Sequence, residues 1–141
     1  MKPIKREPLL YMLVLMAAMA ACSGPKGVVA IEPNGGAPLL EDSISYELIV
    51  LDPGFESWYL LHGTPTKYRS QSYYENWNHR YVSEWNHKAT SPGKHSFFQP
   101  IHGYEQGVDY GFELNHKLFY YFQYVERELK IPILVNRPAT L

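Results

Sequence analysis

Residues 110–131, with the sequence YGFELNHKLFYYFQYVERELKI, constrain the fold more than any other part of the chain. Their apolar side chains recur with the 3.6-residue period of an α-helix over four turns, so the pattern predicts a long helix with one apolar stripe. The stripe contains Leu114, Leu118, Tyr121, Phe122, Val125 and Leu129. Pro132 predicts the end of this helix, because proline has no amide hydrogen to donate. The neighbouring apolar residues predict an edge strand, formed by Ile131, Ile133, Leu134 and Val135.

Two other segments carry the signals of helices. Residues 53–62 begin with Pro53, which suits the first position of a helix, and Gly63 after them suits a C-terminal cap. Residues 70–88 contain Ser72 and Glu75 at the spacing of a capping box. Their aromatic residues follow a helical stripe, although the alternation of residues 81–87 also fits a strand. The stripe contains Tyr74, Trp77, Tyr81 and Trp85.

Residues 44–52, ISYELIVLD, alternate with the period of a β-strand. The side chains on one face are all apolar, and Ile49 and Leu51 make the other face partly apolar too, which predicts a strand that is covered on both sides. Combined with the three predicted helices, this strand indicates an α+β fold class, in which three helices pack on a short sheet as a single domain.

The N-terminus has the layout of a bacterial export signal, with three basic residues before an apolar run at residues 9–21. The run is shorter than the roughly 20 residues that a membrane-spanning helix needs. It ends in Met19-Ala20-Ala21-Cys22, which resembles a lipobox with methionine where leucine is usual. The resemblance implies cleavage before Cys22 and lipidation of this cysteine, the only one in the chain. A cleaved ordinary signal and an uncleaved anchor are the alternatives.

Residues 23–42, SGPKGVVAIEPNGGAPLLED, are rich in glycine and proline and predict a flexible tether with an end-to-end distance of about 25 Å. The predicted organisation is a signal peptide at residues 1–21, the lipidated cysteine and tether at 22–43, and one globular α+β domain at 44–141. Residues 1–21 carry three basic residues and one acidic residue, so their removal changes the formal net charge from −1 to −3. This mild acidity argues against a nucleic-acid partner.

Three segments in order, YELIVLDPGFESW, SQSYYENWNHRYVSEWN and DYGFELNHKLFYYF, resemble a family of small Bacteroidetes lipoproteins classed as a domain of unknown function. The resemblance covers roughly residues 46–125 and implies a single-domain envelope lipoprotein, but no reaction or ligand. Lipoproteins of this kind reach the cell surface through acidic residues after the lipidated cysteine. The sequence CSGPKG has none, which favours the periplasmic side of the outer membrane.

Two Glu-x-x-His quartets, Glu84 to His87 and Glu113 to His116, have the spacing that di-iron helix bundles use for metal ligands. At about 100° per residue, Glu113 and His116 fall on the opposite side of the helix from its apolar stripe. They are therefore expected to be solvated or interfacial, and exposed histidines are expected throughout. No cofactor, no metal and no catalytic constellation is predicted, because no nucleophile elbow or phosphate-binding glycine loop occurs either.

The abundance of aromatic residues, which form 15% of the chain, is the best indication of a binding surface. Trp77, Tyr81 and Trp85 are expected to pack in the core. A ligand or partner surface is predicted at Tyr73, Asn76, His79, Tyr104 and Tyr110, because such side chains stack on sugars or fill interfaces. The predicted function is a lipid-anchored, non-enzymatic module that binds another envelope protein or peptidoglycan-associated machinery. The alternatives are a glycan-binding accessory lipoprotein and a small hydrolase.

Overall fold

The structure, a computed structural model, describes residues 27–33, 45–93 and 95–138. The predicted long helix is present as α3 (Gly111–Arg127) and lies at the centre of the fold. Every α3 residue from Leu114 to Glu126 is buried except Lys117, so the helix is covered on all sides rather than along one stripe. A helix that is apolar all round belongs in a protein interior, and the run LFYYFQYV at residues 118–125 explains this position.

Helix α2 (Gln71–Thr90) confirms the helical interpretation of the second aromatic segment. Its N-terminal cap is Ser70, whose side chain accepts a hydrogen bond from the Tyr73 amide, so the capping box predicted at Ser72 is wrong. Tyr74, Tyr81 and Trp85 are buried against α3, as the stripe predicts. Trp77 lies at the edge of the stripe and is only half-buried, which corrects its assignment to the core.

Helix α1 (Phe55–His62) starts two residues later than predicted, because Pro53 and Gly54 form a turn before it. The Asp52 carboxylate holds this turn by accepting hydrogen bonds from the Gly54 amide and the Tyr124 hydroxyl. Gly63 ends the helix as predicted, and its amide donates a hydrogen bond to the Tyr59 carbonyl. A short 3₁₀ turn, Pro65–Lys67, then leads to α2.

The described strands are β1 (Val29–Pro33) and β2 (Tyr46–Val50), which pair antiparallel from Val29 opposite Val50 to Pro33 opposite Tyr46. Strand β1 lies inside the segment predicted to be a tether, and its Val29 and Ile31 are buried in the core. The tether prediction is therefore wrong at residues 27–33, and the folded unit begins before residue 44. Residues 22–26 and 34–44 lie outside the described part of the chain.

The sequence predicts an edge strand at residues 131–135, but they pair with no strand in the described part of the chain. The amides of Ile133 and Leu134 donate instead to the Glu126 carboxylate at the end of α3. Three helices on a small two-stranded sheet confirm the α+β fold class and the single domain. None of the described helices is long and apolar enough to cross a bilayer.

Candidate functional site

The structure brings together three of the five residues predicted to form a ligand or partner surface. The rings of His79 and Tyr104 lie 5.0 Å apart, and Tyr104 stacks on Tyr110 at 4.9 Å. Tyr73 packs instead against Phe119, and Asn76 is exposed on α2. The predicted surface is therefore not one contiguous patch among the described side chains.

Tyr110 has a structural role, so its assignment to the surface is wrong. It is only 7% exposed, and its hydroxyl accepts the Glu105 amide at 2.7 Å and donates to the Gly103 carbonyl at 2.8 Å. These bonds close the loop before α3 around the tyrosine ring. The Tyr104 hydroxyl likewise points inward and donates to Oδ1 of Asn115 at 2.7 Å. His79 is half-buried and remains partly accessible beside the Tyr104 ring.

Asn115 is the centre of a buried polar cluster that links α2, α3 and the loop between them. Asn78 of α2 donates to the Asn115 carbonyl at 2.9 Å, and the Asn115 amide nitrogen donates to the Gly111 carbonyl at 2.8 Å. Gln71 extends the network by donating to both Glu75 and Asp109. Sequence reasoning missed Asn115, because it assigned only apolar residues to the buried face of this helix.

His116 is also buried, which contradicts its prediction as a solvated residue. It is 1% exposed and lies among aromatic rings of α1, α2 and α3 and of the residue that follows the 3₁₀ turn. Its ring contacts include Tyr59, Tyr68, Tyr74, Phe112 and Tyr120. Its Nδ1 shares a 2.7 Å hydrogen bond with the Tyr59 hydroxyl, and its Nε2 has no hydrogen-bond partner among the described residues. Burial lowers the pKa of His116 to about 4, because the aromatic surroundings disfavour the charged ring.

We expect the free energy of unfolding to decrease as the pH falls from about 6.5 to about 4. An unfolded histidine has a pKa of about 6.5, so in this window the unfolded chain binds a proton that folded His116 excludes. The difference amounts to a loss on the order of 3 kcal/mol at pH 4. Urea unfolding at several pH values measures this change in the free energy of unfolding.

The matched variant is His116→Phe, which keeps a ring in the aromatic pocket and removes the titration. Its stability should vary less with pH between 6.5 and 5 than that of the wild-type protein. A His87→Gln variant, altered at an exposed position on α2, should keep the wild-type slope. Equal slopes for wild type and His116→Phe would show that His116 is not the responsible group.

A second buried network surrounds Glu126 near the end of α3. Its carboxylate accepts hydrogen bonds from the Tyr81 hydroxyl at 2.9 Å and from the amides of Ile133 and Leu134 at 3.0 and 2.9 Å. Gln123, one turn earlier, donates to the same Tyr81 hydroxyl. This network joins α2, α3 and the C-terminal segment. The run at residues 118–125, in which Gln123 is the one residue without an apolar or aromatic side chain, was the signal that α3 is central and that polar residues on it would be buried.

The Glu-x-x-His quartets are not brought together as a metal site. Glu113 is exposed while His116 is buried, and Glu84 forms an ion pair with Lys88 at 3.4 Å. Within the described ranges, no group of three or more potential ligands from histidine, cysteine, aspartate and glutamate is placed to hold a metal ion.

The three tryptophans occupy different environments. Trp85 is fully buried and donates its indole N–H to the Gln99 carbonyl at 2.6 Å. Trp77 is half-buried, with the Arg80 guanidinium 4.4 Å above its ring. Trp58 is half-buried and stacks on His62 at 4.1 Å. The two accessible indoles therefore already have stacking partners within the fold.

Cys22, the predicted lipidation site, lies outside the described residues. No curated protein and no solved structure matches the chain. The sequence profile of one family matches residues 9–136, which include all the described strands and helices. Because this match spans most of the sequence, the protein belongs to DUF6146, a family of unknown function.

Proposed function

We propose that the protein is a lipid-anchored cell-envelope protein, on the periplasmic face of the outer membrane, and that its folded unit is a non-enzymatic binding module. The lipobox-like sequence at Cys22 supports the anchor. The observation that carries the proposal further is the short distance along the chain from Cys22 to Gly27, where the described fold begins. Five residues reach at most about 17 Å when extended, so the module lies close to the bilayer.

The use of buried polar side chains within the fold supports a binding role rather than a catalytic one. Asp52, Asn115 and Glu126 each hold two segments of the chain together through hydrogen bonds. Groups committed in this way stabilise a shape and are not free to exchange protons with a substrate. No observation on the accessible tryptophans favours the glycan-binding alternative over this role.

An exposed apolar surface on α1 is suited to contact with the anchoring bilayer. Leu60 and Leu61 are 78% and 75% exposed, and the exposed residues Lys67 and Arg69 follow them in the chain. Leucines beside basic residues are typical of surfaces that lie at a membrane interface. The Leu51 amide bonds to the Val28 carbonyl at 3.2 Å, so the segment leading into α1 lies next to the chain that comes from Cys22.

A thiol-reactive dye tests the anchor and the orientation in one experiment. The Leu61→Cys variant, purified from membranes, should take up one dye per chain, because acylation blocks the thiol of Cys22. After reconstitution in vesicles, the dye at position 61 should be quenched by lipids that carry a doxyl group. The control is Ser83→Cys, at an exposed position on α2, which is outside the proposed contact. Its dye should be quenched much less.

The possible outcomes separate the two parts of the proposal. Two dyes per chain would mean that Cys22 is not acylated, and the proposed anchor would then be wrong. One dye per chain with equal quenching at positions 61 and 83 would keep the anchor and overturn the contact through α1. Metabolic labelling with palmitate provides an independent check, since a Cys22→Ala protein should lose the label.

A further inference from the structure

A cleft of about 770 Å³ opens beside the C-terminal end of α3. Three of its lining residues are basic and one is acidic, in a chain whose formal net charge is −1. The lining residues are Glu126, Arg127, Lys130, Pro132, Arg137 and Pro138. Two ion pairs occur between described residues, Lys88 with Glu84 and Lys117 with Glu56, and neither involves these three basic side chains. The cleft therefore concentrates positive charge.

The guanidinium of Arg127 is held in position at the cleft. Its Nε donates to Oε1 of Gln123 at 3.1 Å, and its Nη2 donates to the Pro138 carbonyl at 3.2 Å. These bonds use two of the five N–H groups of an arginine. The single acidic residue, Glu126, directs its carboxylate to Tyr81, Ile133 and Leu134. The carboxylate is thus occupied by three internal donors, while Arg127 is fixed with N–H groups that these bonds do not use.

Lys130 adopts a backbone conformation that its residue type rarely takes. Its φ is 58°, in the left-handed region that glycine adopts most readily, and it lies three residues after the end of α3. A basic side chain near a helix C-terminus gains from the helix dipole, but only by an amount similar to the strain of this conformation. The helix dipole does not account for the basic charge at Arg137, because Arg137 lies ten residues beyond the end of the helix. Both cations are explained together by a negatively charged occupant of the cleft.

We propose that this cleft binds the phosphate group of an anionic ligand through Arg127, Lys130 and Arg137. Arginine matches phosphate with paired hydrogen bonds, and lysine adds a point charge. The phosphate belongs either to the headgroup of an anionic lipid or to a soluble phosphate ester. The inference goes beyond the proposed function and does not depend on the lipidation of Cys22.

Calorimetric titration of the full chain in dodecyl maltoside micelles with inorganic pyrophosphate tests the proposal. Arg137→Gln should weaken binding roughly tenfold, the loss of one charge-assisted contact. Lys130→Gly should also weaken binding and should raise Tm by roughly 3 °C, because glycine relieves the left-handed conformation. This opposite effect on stability separates loss of the site from loss of the fold. Arg80→Gln, altered at an exposed arginine on α2, should bind like the wild type.

Micelles that contain phosphatidylglycerol distinguish the two sources of phosphate. Competition between this lipid and pyrophosphate would identify the lipid headgroup as the ligand, and pyrophosphate binding without competition would identify a soluble phosphate ester. Wild-type affinity in both Arg137→Gln and Lys130→Gly would overturn the proposal. It would also fail if Arg80→Gln lost as much affinity as they do, because binding would then be an adventitious ion only.

Discussion

Replacing Glu126 with alanine is expected to lower the free energy of unfolding by about 4 kcal/mol, since breaking a buried network of this kind typically costs roughly 3–5 kcal/mol. The substitution removes the acceptor for three buried donors, the Tyr81 hydroxyl and the amides of Ile133 and Leu134. Donors left buried without a partner lose the hydration that they had in the unfolded chain. The midpoint of urea unfolding, followed by circular dichroism, measures the change.

Glu126→Gln is the matched variant for this prediction. The glutamine oxygen can still accept the amides of Ile133 and Leu134, which both donate to Oε1 of the carboxylate. The glutamine NH₂ group, which replaces the second carboxylate oxygen, cannot accept the hydrogen bond that the Tyr81 hydroxyl donates. The Tyr81 oxygen in turn already accepts a hydrogen bond from Gln123. We therefore expect a smaller loss, about 1–2 kcal/mol. If Glu126→Ala and Glu126→Gln were equally stable, the two amide bonds would contribute nothing measurable.

The position of Glu126 also illustrates what the helical period can and cannot predict. The period of residues 114–129 correctly predicted α3, because a helix repeats its faces at a fixed spacing whatever surrounds it. The period does not say how many faces are covered. Asn115, His116 and Glu126 were missed because α1, α2 and the C-terminal segment cover α3 together, and those contacts join residues far apart in the sequence.

The same limit explains the error at β1. Residues 27–33 have no long period, and the glycines and prolines around them are typical of a linker. The strand is stabilised by pairing with β2 and by burial of Val29 and Ile31, and neither is encoded within the segment itself. The correction affects the proposed function, because it shortens the link between Cys22 and the folded unit from about 20 residues to five.

Residues 131–135 show the opposite error, in which a good local pattern was overridden. The apolar run suits a strand, but the amides of Ile133 and Leu134 bind the Glu126 carboxylate instead of a neighbouring strand. A charged acceptor offers a stronger hydrogen bond than a backbone carbonyl does. The resulting path carries the chain past Arg127 to Arg137, and so it forms the wall of the basic cleft.

Replacing Trp85 with alanine is expected to lower the free energy of unfolding by about 4 kcal/mol and Tm by roughly 10 °C or more, as for other large core residues. Trp85 is 0% exposed, and its ring contacts Phe97, Phe98, Tyr121 and Phe122. Alanine leaves a cavity among these rings and an unpartnered carbonyl at Gln99. Thermal unfolding followed by near-ultraviolet circular dichroism measures the loss.

Trp77→Ala on the same helix is the control, and it should cost only about 1 kcal/mol, because Trp77 is half-buried and its Arg80 contact lies at the surface. Trp85→Phe should fall between the two, since phenylalanine fills most of the cavity and lacks the indole N–H. Amide hydrogen exchange of Trp85→Ala should show which segments lose protection. Trp85 holds residues 97–101 against α2, and Gly27 lies against Phe97, so faster exchange should extend from that loop to β1. Losses of equal size in Trp77→Ala and Trp85→Ala would contradict the position of Trp85 at the centre of the core.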